Sequence, residues 1–144
     1  MAAYQKYQPF VGSLSDAQIN ALGNTDTFRA VIHSDDTALT SSSVTSCSQI
    51  PNANGYPGTN TIAYTCTNTT GTVSFSPTGD ITWTASGGNL GGVTNARYFS
   101  IYDDTPTSPV ADPLVCKFDY GATVTVASGE TMTLDFDVTL WTLQ

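Results

Sequence analysis

Asp135 and Asp137 are the residues whose spacing most directly suggests chemistry. Alternate positions of one strand place two carboxyls on one face, about 6.5–7 Å apart, a separation compatible with a glycosidase pair. Neither has a neighbour in sequence that would desolvate it and raise its pKa. Met132, Leu134, Phe136 and Val138 form an apolar stripe on the other side, so solvent-facing aspartates are the preferred reading. The single histidine lies in His33-Ser34-Asp35-Asp36. Sequence neighbours at a strand end do not assemble a nucleophilic triad, and no Gly-x-Ser-x-Gly elbow occurs. His33 therefore reads as a surface or half-buried strand residue.

Cys47, Cys66 and Cys116 are odd in number, widely spaced and without a Cys-x-x-Cys pair. That pattern fits neither a disulfide scaffold nor a zinc site. They read as free thiols made in a reducing cytoplasm, one pair of which could oxidise after release from a cell, with Cys66 and Cys116 on the apolar faces of their strands as small core residues. Asp103, Asp104 and Asp112 flank a connection and offer oxygen ligands suited to Ca²⁺, but the EF-hand pattern is absent. The stretch from Gly87 to Gly92 lacks the Lys-Ser/Thr of a phosphate-binding loop. No catalytic residue, cofactor or metal ligand is assigned, and the chain is expected not to be an enzyme.

The elements that would position these residues are β-strands. The 144 residues, 40% hydrophobic, have the length and apolar content for one domain with its own core. Charged residues make up only 11%, and 24 Thr and 14 Ser supply surface polarity in their place. Thr suits a pleated strand that still meets water. Glu occurs once and Lys twice, so the usual helix-surface residues are nearly missing. Lys6, Arg29, Arg97 and Lys117 against a net charge of −8 argue against nucleic acid and against an anionic membrane. No apolar run is long enough to span a bilayer, and the opening residues lack the apolar core of an export signal.

Strand patterns fall at 27–33, 61–66, 73–76, 81–85, 97–102, 114–120, 123–126 and 131–138. Pro77-Thr78-Gly79-Asp80 and Ser128-Gly129 predict two hairpins, joining 73–76 to 81–85 and 123–126 to 131–138. Residues 35–59 read as a long loop with one short strand near Val44. Ser15 with Gln18 resembles a capping box, predicting a short helix over 16–22 closed by Gly23. The fold class is all-β: a single β-sandwich or jelly-roll-like domain over 24–144, preceded by residues 1–23 as an N-terminal arm with at most one short helix. Leu140, Trp141 and Leu143 predict a C-terminus tied to the domain.

The whole-chain pattern resembles small tailed-bacteriophage virion proteins, the decoration, cement or auxiliary head proteins. The carrying stretches are Tyr7 to Val11, Asp26 to Val31, Asn54 to Gly58 and Asp80 to Gly88, then Ala96-Arg97-Tyr98 running to Tyr102-Asp103-Asp104. Asp112-Pro113-Leu114, Phe118 to Gly121, Gly129-Glu130 and Asp135-Phe136-Asp137 complete it. Thr59 and Cys116 stand where glycine is the family's expectation. The resemblance implies a non-enzymatic structural protein on the outside of a capsid, made in the host cytoplasm. Its partner would be the major capsid protein, and its copies would associate on the shell. Tyr4, Lys6, Tyr7 and Phe10 are the candidate capsid contacts, since aromatic residues anchor interfaces; the same residues equally fit a first strand of the domain's own core. A tail or host-adsorption component binding glycan through Tyr98 and Tyr102 is the alternative, and a glycan-processing enzyme using Asp135 and Asp137 is a further one.

Overall fold

The computed structural model describes residues 3–16, 19–23, 25–136 and 139–143. Its strands, in chain order, are β1 (Ala3–Lys6), β2 (Phe28–His33), β3 (Asn60–Thr61), β4 (Tyr64–Thr69), β5 (Thr72–Pro77), β6 (Ile81–Thr84), β7 (Ala96–Asp103), β8 (Leu114–Val124), β9 (Thr131–Leu134) and β10 (Trp141–Leu143). The main sheet is antiparallel in the order β1-β8-β7-β2-β3, beside a three-stranded sheet β10-β5-β4 and a pair β6-β9. With one short helix, α1 (Pro9–Ser15), the fold is all-β and sandwich-like.

Both faces of the main sheet are buried along β2, β7 and the start of β8. Phe28, Ala30 and Ile32 of β2 lie on one face with Phe99 and Ile101 of β7 and Cys116 of β8. They join the principal core with Phe75, Trp83 and Trp141. Removing each large side chain from water contributes roughly 1.5–3 kcal/mol. The opposite face carries Val31, Tyr102, Leu114 and Tyr7, a second cluster closed by Val44 and Cys47 from the 34–59 connection. A register shift lets Tyr102 face Leu114 while Ile101 faces Cys116. Val115 thereby turns into the principal core, and Leu114 leaves the face that simple alternation assigns it with Cys116.

The two predicted hairpins are not formed. β5 pairs with β4 and β10, and β6 pairs with β9. Thr131–Leu134 ends four residues before Val138, and residues 123–124 belong to β8. The hairpin that does form joins β4 to β5 through Thr70-Gly71, both at positive φ (51° and 85°). Such turns favour Asn or Asp before Gly, so Thr70 concealed it. The helix also lies earlier than predicted. Pro9 starts α1, as proline's fixed φ permits, and the Ser15 hydroxyl donates to Gly12 O at 2.8 Å near the other end. Ser15 therefore ends a helix instead of capping one; Gln18 lies outside the described residues. A 3₁₀ turn covers Ala21–Gly23, and Val44–Ser46 is a 3₁₀ turn where a short strand was expected.

The N-terminal segment is the first strand of the sheet. β1 pairs with β8 over Ala3–Asp119 to Lys6–Cys116. Tyr7 N–H then donates to Val115 O at 3.1 Å. The C-terminus is tied down as predicted: Trp141 stacks on Phe75 at 5.3 Å and meets the edge of Phe10 at 5.5 Å.

Candidate functional site

Behind the main sheet, a chain of polar groups runs through the second cluster. His33 is fully buried, contrary to its surface reading, because Val31 and His33 face the 34–59 connection. Its Nδ1 lies 2.8 Å from Asp35 O, which can only accept. Nδ1 therefore carries the proton and Nε2 is an acceptor. Ser100 Oγ, 2.8 Å from Nε2, must donate to it, and the Tyr7 hydroxyl, 2.9 Å away, donates to Ser100 Oγ. The direction of transfer is fixed along the whole chain: Tyr7 to Ser100 to His33 to the Asp35 carbonyl. Burial pushes the Tyr7 phenol up and the His33 imidazole down, so both are held neutral.

Lys117 is buried beside this chain, although it stood on the polar side of its strand in sequence. Its ammonium donates to Asp36 Oδ1 and, at 2.6 Å, to Thr37 O, pinning the residues that follow His33. The Tyr98 ring stacks on His33 at 5.5 Å, with the Arg97 guanidinium 4.9 Å from its centroid. Arg97 also grips Asp119 with two bonds of 2.8 and 2.9 Å. That fork and the Gly121 N–H pull the Asp119 carboxyl down to about 2.

A serine bonded to a histidine imitates half of a hydrolase site. Here the serine and the histidine are both fully buried, and the phenol of Tyr7 occupies the approach to Ser100 Oγ. No substrate carbonyl can reach that oxygen, so the arrangement acts as a polar core clamp. Its members were separable in sequence only through one signal: Tyr98, Ser100 and Tyr102 alternate with Phe99 and Ile101, giving β7 no plainly hydrophilic face.

An accessible concavity lies on the other side of the sheet, between the β1–β8 edge and the residues after β9. It is a cleft of about 760 Å³ lined by Tyr4, Phe99, Phe118, Tyr120, Leu134 and Phe136, with Thr133, Asp135 and Thr139 as its polar groups. Tyr4 meets Phe118 edge-on at 5.6 Å and remains 42% exposed; Tyr120 is 54% exposed. Asp135 lies one residue beyond the end of β9 and is exposed, while Asp137 lies outside the described residues.

The four candidate contact residues separate sharply. Tyr4 and Lys6 are exposed on β1. Tyr7 and Phe10 are buried in the two clusters of the domain and are withdrawn as surface anchors. Tyr98 and Tyr102 are likewise only 6% and 5% exposed, so no open aromatic groove is built on them. Cys47 and Cys116 are buried and Cys66 is half-buried; all three are free thiols. Among the carboxylates considered for Ca²⁺, Asp104 pairs with Arg29 Nε at 2.6 Å and Asp103 is buried. Among the described residues no three His, Cys, Asp or Glu side chains are grouped to hold a metal ion.

Fold and site together define an all-β, sandwich-like domain with a sealed polar clamp on one side and an open aromatic cleft on the other. No family model, curated protein or solved structure matches the chain.

Proposed function

We propose that the protein is a non-enzymatic structural component of a tailed-phage virion that binds the outside of the capsid and stabilises the head lattice. The observation that carries this reading is the accessible aromatic edge. β1 ends the main sheet, and Tyr4 and Tyr120 stand exposed beside the cleft. Large, stiff aromatic side chains lose little freedom on docking and anchor interfaces well. Lys6, exposed on the same strand, discourages uncontrolled edge pairing. The resemblance of the sequence to head decoration proteins supplies the biological context of this proposal. Many copies on one shell would add avidity to a modest individual contact.

The test is co-sedimentation of the purified protein with heads, and separately with tails, of a phage lacking its gene. Saturable binding to heads, together with raised resistance of those heads to heat, is the expected result. Binding to tails or host cells alone would support host adsorption instead. The cleft favours that second reading to one extent: Tyr4 and Tyr120 offer faces on which a sugar ring could stack.

A further inference from the structure

Asp103 closes β7 with its side chain fully buried, opposite Phe28 in register and so on the principal-core side of the sheet. Its Oδ1 accepts the Thr105 N–H at 3.0 Å. Its Oδ2 is buried and receives no N–H or O–H from any described residue. The Asp26 carboxyl stands near enough for its charge to disfavour ionisation of Asp103. An ionised carboxylate only accepts, so burial without a donor and beside a like charge favours the protonated form.

We propose that the buried Asp103 carboxyl keeps its proton in the folded protein and, beside Asp26, forms a pH-operated clasp between the segment preceding β2 and the end of β7, closed in acid and released when the proton leaves. Each partner holds a different piece of chain. Asp26 Oδ2 accepts the Asn20 N–H, and its backbone carbonyl accepts the Tyr64 hydroxyl at 2.9 Å. Asp103 organises the turn at Thr105, whose hydroxyl accepts the Thr27 N–H at 2.7 Å. The Asp104 N–H then donates to Thr27 O at 2.8 Å. Releasing the clasp therefore strains the start of β2, the end of β7 and the Tyr64 contact together.

The groups around the pair do not neutralise it. From β4 comes Tyr64, a phenol that burial pushes up to about 12 and that stays uncharged. From β2 comes Arg29, which alternation places on the opposite face from Phe28 and which is engaged with Asp104. The 104–113 connection adds Asp104 and Asp112, both acidic. Burial first, and then Asp26, push the Asp103 carboxyl up to about 7. An unfolded aspartate releases its proton near pH ~3.9. The native state thus keeps a proton that the unfolded chain gives up, and stability falls as pH rises between those limits.

The clasp is tested by thermal unfolding of the full chain from about pH 5 to about pH 8, for wild type, Asp103→Asn and Asp26→Asn. Taking the difference between wild type and variant cancels the other titrating groups. The wild-type Tm should fall relative to Asp103→Asn by about 5 °C or more across that range, and by less relative to Asp26→Asn, which leaves the burial of Asp103 in place. A wild-type-minus-variant difference that does not change with pH would overturn the proposal. A second measurement covers variants that fold poorly: carboxyl ¹³C NMR of the folded wild type. One carboxyl of the 11 aspartates should titrate near neutrality, and titration of all of them below about pH 5 would equally overturn it.

Discussion

His33 Nε2 and Ser100 Oγ lie 2.8 Å apart across the β2–β7 pair. They are diagonal neighbours, since His33 is opposite Tyr98 and Ser100 is opposite Val31. Diagonal positions on one sheet face are within reach of a long side chain, and Tyr7 completes the contact from outside the pair. One strand hydroxyl thereby couples the N-terminal segment, β7 and β2.

Removing the phenol oxygen tests that coupling. Tyr7→Phe leaves Ser100 Oγ without its donor but keeps the ring, and should cost about 1 kcal/mol. Tyr7→Ala also opens a cavity in the second cluster and should cost about 3–5 kcal/mol. Urea unfolding monitored by far-ultraviolet circular dichroism measures both.

His33 predicts a pH dependence of opposite sign to that of the carboxyl clasp. Its folded pKa is lowered, by burial first and by the Lys117 charge as well. Between the folded pKa and the unfolded value near ~6.5, the unfolded chain binds a proton that the native state refuses. The contribution is complete above that unfolded value and is lost as pH falls through and below it. His33→Asn should reduce this acid-side loss, measured as wild-type-minus-variant stability between about pH 7 and about pH 5. Equal slopes for the two proteins would refute the assignment.

Gly55 admits no side chain. Its φ is +89°, and a Cβ there would lie 2.0 Å from Thr84 O. Gly55→Ala should therefore destabilise by about 2 kcal/mol or more, combining a disfavoured backbone with a forced shift of β6. Gly71, with φ +85° and open space around its Cβ position, should tolerate alanine better, at about 1 kcal/mol. Comparing the two midpoints by thermal melting separates crowding from conformation.

Tyr4→Ser with Tyr120→Ser tests the aromatic edge. Both residues are exposed, so the circular dichroism spectrum should be unchanged. Affinity for heads should fall about tenfold or more, as for the loss of one interface anchor. Unchanged head binding would place the contact on another surface.

The strands of the main sheet were legible because β2 and β7 alternate large apolar residues with a strict period of two. What alternation could not convey was that both faces would be covered. Val31, His33, Tyr98, Ser100 and Lys117 look like a mixed outer face until the 34–59 connection folds over them. That connection reads as loop because Pro51, Asn54-Gly55 and Pro57-Gly58 punctuate it. Yet it supplies Ile50 and Tyr56 to the principal core, and the Ile32 N–H donates to the Tyr56 hydroxyl at 2.8 Å. The pairing of β5 and β6 was misjudged because turn residues report a reversal, not the identity of the strand on the far side. β5 finds β4 before it and β10 from the C-terminus, and neither partnership leaves a mark in Pro77 to Asp80. The aromatic edge was half legible: Tyr4 stood out in the opening segment, whereas Tyr120 lines the same cleft only because β1 pairs with β8.

The meeting of Phe10 with Trp141 joins residues from the first and last stretches of the chain, as the β1–β8 pair joins the start to residues beyond 114. A ribosome releases these segments at different times. β1 must wait, unpaired, until β8 has been made, and topology dominated by such distant pairings folds slowly. Fragments from interrupted synthesis would carry an exposed sheet edge and unburied aromatics, the surfaces through which incomplete chains aggregate. A copy that stops short of β8 lacks the partner of β1 and cannot complete the main sheet.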